Sequence, residues 1–408
     1  MNELINNNNV SVENDISREG ALRDDILSLN QKKSFMFLPV IIYLVILMLC
    51  GIVGNGLVCY VYRWRFRRTT SNFFILFLAI VDLLSCCLGM PFEVSDLLLP
   101  YMFDAPAACK ILRFVETWTI SASGLTLVCV AFDRYYKLCK PLRRFTILKA
   151  KVFCSVAVSI ALLMALPALA LFGRRSLTTG VADVNGTECS IDDHMVHTPL
   201  AIIYYGSLML TFIFTFSCLL TLYIIIGVCL HRRNKLTIGE QITLKTDYPR
   251  THRFVQNQTQ KTCHSESSTE DNSKTTENAP KQLHDNKTSR DSNRLTKTPS
   301  LIRKENGHQH KMGTVSLKTT RLTAIFFTVS VAFVISFLPY LIVNIMKVTK
   351  VAFDPFRSDT VEIVYNFCVR SYFINNVINP FIYSILNVNF RKECKYVFKK
   401  LFKSCHNK

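Results

Sequence analysis

Acidic residues are in short supply: 29 Asp and Glu stand against 48 Lys and Arg, a formal net charge of +19. Such a surplus ordinarily points to nucleic acid. Here the basic residues fall between long apolar runs, where a membrane protein keeps them, so no nucleic-acid partner is expected. The chain also lacks internal repeats and paired interrupted hydrophobic segments, which argues against the alternative of a transporter or channel. No nucleophile comes with a base and an orienting group, and the nine histidines fall mainly in loops. No enzyme chemistry is therefore read and no cofactor is expected. Residues Met1–Lys33 have no apolar core, which excludes both a cleaved signal peptide and a packed domain.

What the chain has in quantity is apolar residues, 50% of its 408, and its mean hydropathy is positive. With so much positive charge, the greasy and basic residues must be segregated, as in an all-α integral membrane protein with basic loops. Seven runs are long enough to cross a bilayer as helices, about 37–62, 72–99, 114–132, 152–172, 200–230, 322–346 and 360–386. Arg63, Arg65, Arg67 and Arg68 follow the first run and put its end in the cytoplasm. The N-terminus is then outside the cell and the C-terminus inside. Five segments result: an extracellular disordered tail (1–36), spans one to five (37–230), a disordered third cytoplasmic loop (231–318), spans six and seven (319–387), and an amphipathic helix with a short tail (388–408). In the last segment Phe390, Cys394, Val397 and Phe398 recur at helical spacing opposite Arg391, Lys392, Lys395 and Lys399, which suits the surface of an anionic leaflet. Cys394 and Cys405 are candidate palmitoylation sites there. Asn9 and Asn185 open glycosylation sequons on the outer side, whereas the sequons at Asn257 and Asn286 fall in the cytoplasmic loop.

Four carboxylates are placed where hydrocarbon would penalise them. Asp82 lies within the second run, Glu93 and Asp96 follow the kink expected at Pro91, and Glu116 opens the third. Each needs a partner or a watery cavity, because a charge on the lipid side costs several kcal/mol.

The motifs around these residues carry a resemblance. Cys109 precedes Asp133-Arg134-Tyr135 by 24 residues, with Pro141-Leu142 following. Gly54-Asn55, Leu78-Ala79-Ile80-Val81-Asp82, Phe333 to Pro339 and Asn379-Pro380-Phe381-Ile382-Tyr383 come in the same order as in the rhodopsin-like (class A) G protein-coupled receptors, which the chain resembles over about 37–402 outside the long loop. The resemblance implies a seven-transmembrane helix bundle with an amphipathic eighth helix, in the plasma membrane. It implies a disulfide between Cys109 and Cys189, and a pocket for an allosteric Na⁺ made by Asp82, Ser123, Asn375 and Asn379. The activation switch it implies comprises Asp133, Arg134, Tyr135, Tyr223, Phe333, Phe337, Pro339, Asn379, Pro380 and Tyr383, with Arg134 and Leu142 meeting a heterotrimeric G protein. Receptor kinases and arrestin are further implied partners; Ser265, Ser267, Ser268 and Thr269 beside acidic residues in the third cytoplasmic loop are the phosphorylation candidates.

The chain also departs from the pattern. The fourth span has no tryptophan where relatives carry one, Thr215 replaces a proline, Ser336 and Phe337 stand in the places of Cys and Trp, and Gly124 sits in the packing trigger. Thr319 occupies the place of an acidic partner for Arg134, and Phe373 the place of the lysine that an opsin needs. For the ligand two readings stay open. Glu116 with Ser207 and Thr211 would suit a biogenic amine, while Glu93, Asp96 and Glu116 together would suit a basic residue of a peptide, with Tyr340 also in the ligand set. Gly89-Met90-Pro91-Phe92-Glu93 resembles the run in ghrelin and neuromedin receptors, which favours the peptide. Arg370 could instead neutralise Glu93 or Glu116 internally.

Overall fold

The computed structural model describes residues 2–140, 142, 145–179, 185–196, 198–246, 300–348 and 358–406. Residues 247–299, most of the expected third cytoplasmic loop and its candidate phosphorylation sites, lie outside the described residues. The chain divides into two compact units, Met1–Leu230 with Leu317–Lys408, and His231–Ser316. The second is helical over 231–246 and 300–316.

The helices are α1 (Asn2–Met36), α2 (Leu38–Trp64), α3 (Thr70–Leu84), α4 (Met90–Leu98), α5 (Pro106–Cys139), α6 (Ile147–Ala165), α7 (Ala168–Leu171), α8 (Pro199–Thr246), α9 (Ser300–Val348), α10 (Asp359–Val369), α11 (Phe373–Leu386) and α12 (Val388–His406). A hairpin of β1 (Phe172–Thr178) and β2 (Asn185–Ile191) follows α7. Among the described residues six helical stretches are long and apolar enough to cross a membrane: Leu38–Trp64, Thr70–Leu98, Pro106–Cys139, Ile147–Leu171, Pro199–Arg233 and Thr319–Val343. The seventh expected span is α10 and α11 in series.

Local chemistry explains where the helices begin. Thr69, Thr146 and Ser358 hydroxyls accept from the amides of Asn72, Lys149 and Val361, and Asn387 Oδ1 accepts from those of Asn389 and Phe390 at the head of α12. Prolines open α2 and α5, where a missing N–H costs nothing. The kink expected at Pro91 appears as a π-helical turn over Ser85–Gly89 just ahead of it. In the seventh span the bonds Ser371→Cys368, Phe373→Arg370, Ile374→Ser371 and Asn375→Tyr372 close over three residues, so Arg370–Tyr372 forms a tightened turn between two helices.

The third span is the hub. Of its apolar stretch 72% is buried inside the protein, against 22–56% for the other five. Small residues make this possible: Ser121, Ala122, Ser123 and Gly124 on α5 are buried, and α6 presents buried Ala150, Cys154, Ala157, Ala161 and Ala165 at helical spacing. Such a stripe lets helix backbones approach closely in lipid.

The first segment differs from the disordered tail expected from the sequence, because residues 2–36 form α1. Its last turns are anchored: Asn30 Nδ2 donates to the Leu98 carbonyl at 3.0 Å, Asn30 Oδ1 accepts from the Tyr101 amide at 3.1 Å, and Lys33 pairs with Glu362. Polar capping of exposed chain ends drives this docking, which hydrophobic periodicity cannot reveal. Asn9 falls in α1, and its side chain is outside those described.

Candidate functional site

At the disulfide end of the bundle, α4, α5 and the Arg370 turn converge. Cys109 at the start of α5 is bonded to Cys189 on β2, with Cα atoms 5.6 Å apart, and this ties the hairpin down. Loop residues join it: the Thr187 amide donates to the Tyr101 carbonyl at 2.8 Å and the Phe103 amide to the Thr187 carbonyl at 3.0 Å. Asn185 begins β2 and is exposed.

Beneath this cover lie Glu93, Asp96 and Glu116, as expected, but with two arginines among them. Arg113 Nη1 pairs with Glu93 and lies 3.1 Å from Glu116 Oε2, while its Nη2 lies 3.4 Å from Asp96 Oδ2. Arg370 Nε is 2.7 Å from Glu93 Oε2, and its Nη2 is 3.5 Å from Asp96 Oδ2. The Phe92 ring faces the Arg113 guanidinium at 5.2 Å. Glu93 and Glu116 are buried, as is Arg370. Three carboxylates against two guanidiniums leave one negative charge in excess. The second oxygen of Glu116 accepts from the Tyr372 hydroxyl. A ladder on α10 continues outward: Arg370 Nη1 donates to Asn366 Oδ1, Asn366 Nδ2 to the Glu362 carbonyl at 2.9 Å, and Glu362 pairs with Lys33 of α1.

Sequence reasoning does not single out Arg113 or Tyr372. An arginine near a helix end reads as a side chain reaching for the interface, and Tyr372 is aimed inward only because the turn at Arg370–Tyr372 resets the screw of the seventh span. Phe373, the next residue, is fully buried in the core. Ser207 and Thr211 use their protons locally: Ser207 Oγ donates to the Tyr204 carbonyl at 2.8 Å and Thr211 Oγ1 to the Ser207 carbonyl at 2.9 Å. Each oxygen keeps its lone pairs, so what the two hydroxyls can offer a ligand is acceptor capacity.

Below the charges stands an aromatic stack. The Tyr372 ring lies 5.5 Å from Tyr340 and 5.9 Å from Phe337, and Phe337 lies 4.7 Å from Phe333. Gly124 meets this stack from α5: a Cβ there would sit 3.0 Å from Phe333 Cζ. Thr215 is buried nearby on α8. Pro339 interrupts α9 at this level, and the Ser336 carbonyl accepts from the Ser371 hydroxyl at 2.8 Å.

Deeper lies a polar pocket. Asn379 Nδ2 donates to Asp82 Oδ2 at 2.7 Å, and Asn375 Nδ2 reaches Ser123 Oγ at 3.5 Å. Asp82 Oδ1, Asn375 Oδ1, Asn379 Oδ1 and Asn55 Oδ1 are buried without a hydrogen-bond partner among the described residues. Unpaired buried oxygens of this kind are costly, and a hard cation is the group they fit. Asn55 has a structural task as well. Pro380 cannot donate to the Asn376 carbonyl one turn back, and Asn55 Nδ2 fills that vacancy at 2.7 Å. Gly54 permits the approach, since a Cβ there would meet the Pro380 ring at 3.0 Å.

At the opposite end Arg134 is almost wholly buried. It pairs with Asp133 and Ser71 and faces the Phe326 ring at 5.1 Å. Tyr135, next in the motif, is half-buried and packs edge-on to Tyr136 at 5.6 Å. Tyr223 Oη shares a hydrogen bond with Ser330 Oγ at 3.2 Å, and the buried Tyr383 hydroxyl has no partner among the described residues. Leu142 is 97% exposed. The first turns of α12 are fixed by Phe390, 5.8 Å from the Tyr62 ring, and by Arg65, 2.8 Å from Glu393. Cys394 is half-buried on this helix, and the Cys405 side chain is outside those described.

Comparison with known proteins bears on both ends. The family model for the 7 transmembrane receptor (rhodopsin family) matches residues 54–383. Neuropeptide FF receptor 1 of Homo sapiens is 39% identical over 131 residues, which cover 31% of this chain and 30% of that protein. Neuromedin-U receptor 1 of Mus musculus is 29% identical over 228 residues, 53% of this chain and 51% of the relative. The C3a anaphylatoxin chemotactic receptor of Danio rerio is 33% identical over 176 residues, 41% and 44% respectively. The chain thus spans about half or less of the length of the curated relatives it matches.

Proposed function

This chain belongs to the rhodopsin family of seven-transmembrane receptors, and from that premise we propose that it is a receptor for a peptide carrying a basic residue, acting through heterotrimeric G proteins. The observation that carries the ligand class is the unbalanced charge at the disulfide end, three carboxylates against two guanidiniums in a buried setting. A guanidinium or ammonium from a ligand would restore neutrality there and could bond several carboxylate oxygens at once. The names of the relatives, which include receptors for neuropeptide FF and neuromedin-U, agree with a peptide. The Ser207 and Thr211 hydroxyls, which the amine reading would use, donate their protons to their own helix.

In this reading the protein sits in the plasma membrane with the disulfide end outside. Occupancy at Glu116 is passed through Tyr372 to Phe337 and Phe333. Arg134 then leaves Asp133 for Tyr223 and Tyr383 as the inner end of α9 moves out, and the groove so opened takes the G protein, with exposed Leu142 as an apolar contact. Receptor kinases and arrestin would follow through the loop between α8 and α9. Asp82, Ser123, Asn375 and Asn379 would hold Na⁺, whose charge would neutralise the Asp82 carboxylate.

The test is a screen of peptide and amine libraries on cells expressing the chain, with calcium and cyclic AMP readouts. The expected agonist is a peptide whose potency falls at least about tenfold, roughly one charge-assisted hydrogen bond, when its basic residue is made neutral, with Glu116→Gln erasing that difference. Agonists without positive charge would overturn the ligand class. For the ion, Na⁺ is expected to weaken agonist affinity in the wild type and to have no effect in Asp82→Asn; an undiminished Na⁺ effect in that variant would remove Asp82 from the site.

A further inference from the structure

Asp133 is held by more than its neighbour in the motif. Its Oδ1 accepts from Thr70 Oγ1 at 2.9 Å, and its Oδ2 is shared between Arg134 and Lys137, the latter at 3.1 Å. Lys137 stands one turn along α5 and also donates to Thr70 Oγ1 and, at 3.0 Å, to Ser71 Oγ. Arg134 uses the same Ser71 hydroxyl. Two cations thus compete for one carboxylate oxygen and one hydroxyl. Asp133 has no exposure at all, whereas the Lys137 side chain is 29% exposed.

We propose that Lys137 is a positioning residue for activation: it keeps Asp133 paired after Arg134 has left, and so lowers the cost of opening the inner end. The proposal rests on the receptor reading. Breaking a buried ion pair is strongly unfavourable chiefly because the abandoned charge stays buried without compensation. Here the abandoned carboxylate would keep Lys137 and Thr70. Lys137 can do this because its ammonium already bonds Asp133, Thr70 and Ser71 independently of where Arg134 points. The resting state has both cations on Asp133 and the open state has one. Without Lys137 those numbers become one and none, so the resting state is favoured.

The experiment uses the full chain in membranes with purified G protein heterotrimers and reads basal nucleotide exchange. Lys137→Met is expected to lower it about fivefold, the equivalent of the ~1 kcal/mol of a partly exposed ion pair. Lys137→Arg should keep the wild-type rate, and in an Asp133→Asn background Lys137→Met should change nothing. A second readout does not need a transducer: the rate of maleimide labelling at Ile325→Cys on the buried face of α9, followed by mass spectrometry, should fall by the same factor in Lys137→Met. Unchanged or raised values in Lys137→Met, or an equal fall in the Asp133→Asn background, would overturn the proposal. If labelling falls as expected while no variant, wild type included, exchanges nucleotide, Lys137 keeps its role and it is the G protein reading that fails.

Discussion

Arg113→Met is expected to lower the apparent melting temperature of the detergent-solubilised protein by about 5 °C, from a loss of roughly 3–5 kcal/mol when a buried ion pair is broken from one side. The reason is the company Arg113 keeps. It serves Glu93, Asp96 and Glu116, and without it Arg370 would be left with Glu93 and Asp96 while Glu116 would have no guanidinium among its described partners. Adding Glu116→Gln should recover much of the loss, since Glu93 and Asp96 against Arg370, which contacts both, restore the original excess of one negative charge. Melting curves of the two variants, with surface expression measured in parallel, check this. Equal instability of the single and double variants would mean that Arg113 matters for its packing on Phe92 rather than for its charge.

Gly51→Ala should destabilise the bundle by about 1–3 kcal/mol, the range for overpacking a tight core. A Cβ at Gly51 would collide with the Cys86 thiol and come within 3.3 Å of Val377 Cγ2. Three elements meet at that point: α2, the π-helical turn and α11. The Cys86 Cβ itself would be 3.5 Å away, an ordinary contact, so Cys86→Ala added to Gly51→Ala should restore stability. Thermal unfolding of the single and double variants decides it, and a double variant no better than the single would place the clash elsewhere. The same turn holds Ser85, whose hydroxyl accepts from Asn376 Nδ2 at 2.6 Å, so a displaced Cys86 would also disturb the neighbourhood of the Asp82 pocket.

The residues legible in the sequence are those whose surroundings are set by helix geometry. Asp82 and Asn379 are expected in one pocket and are bonded, Cys109 and Cys189 are joined, and Asp133 holds Arg134. These pairings are what the resemblance implies; Asp82, Asn379, Asp133 and Arg134 lie within helices, and Cys189 lies on β2. Residues that depend on irregular backbone are not legible. Tyr372 faces Glu116 because of a turn tightened to three-residue hydrogen bonds, and no apolar pattern signals that turn. Arg113 and Lys137 read as charges near helix ends, and only the packed neighbours show that each is shared among several partners. The anchoring of α1 by Asn30 and Lys33 rests on the polar contacts of two side chains, which composition dilutes in an otherwise hydrophilic stretch.

The turn at Arg370–Tyr372 has a mechanical consequence. An unbroken rod hands any twist applied at one tip to the other, whereas two short rods meeting at a sharp elbow do not. Torque from a ligand pulling on Arg370 would be absorbed at the elbow, leaving Asn379, Pro380 and Tyr383 in their own register. Sideways displacement of Tyr372 against Phe337, 5.9 Å away, would then be the channel that survives, the upper half of this span moving as a lever against the lower.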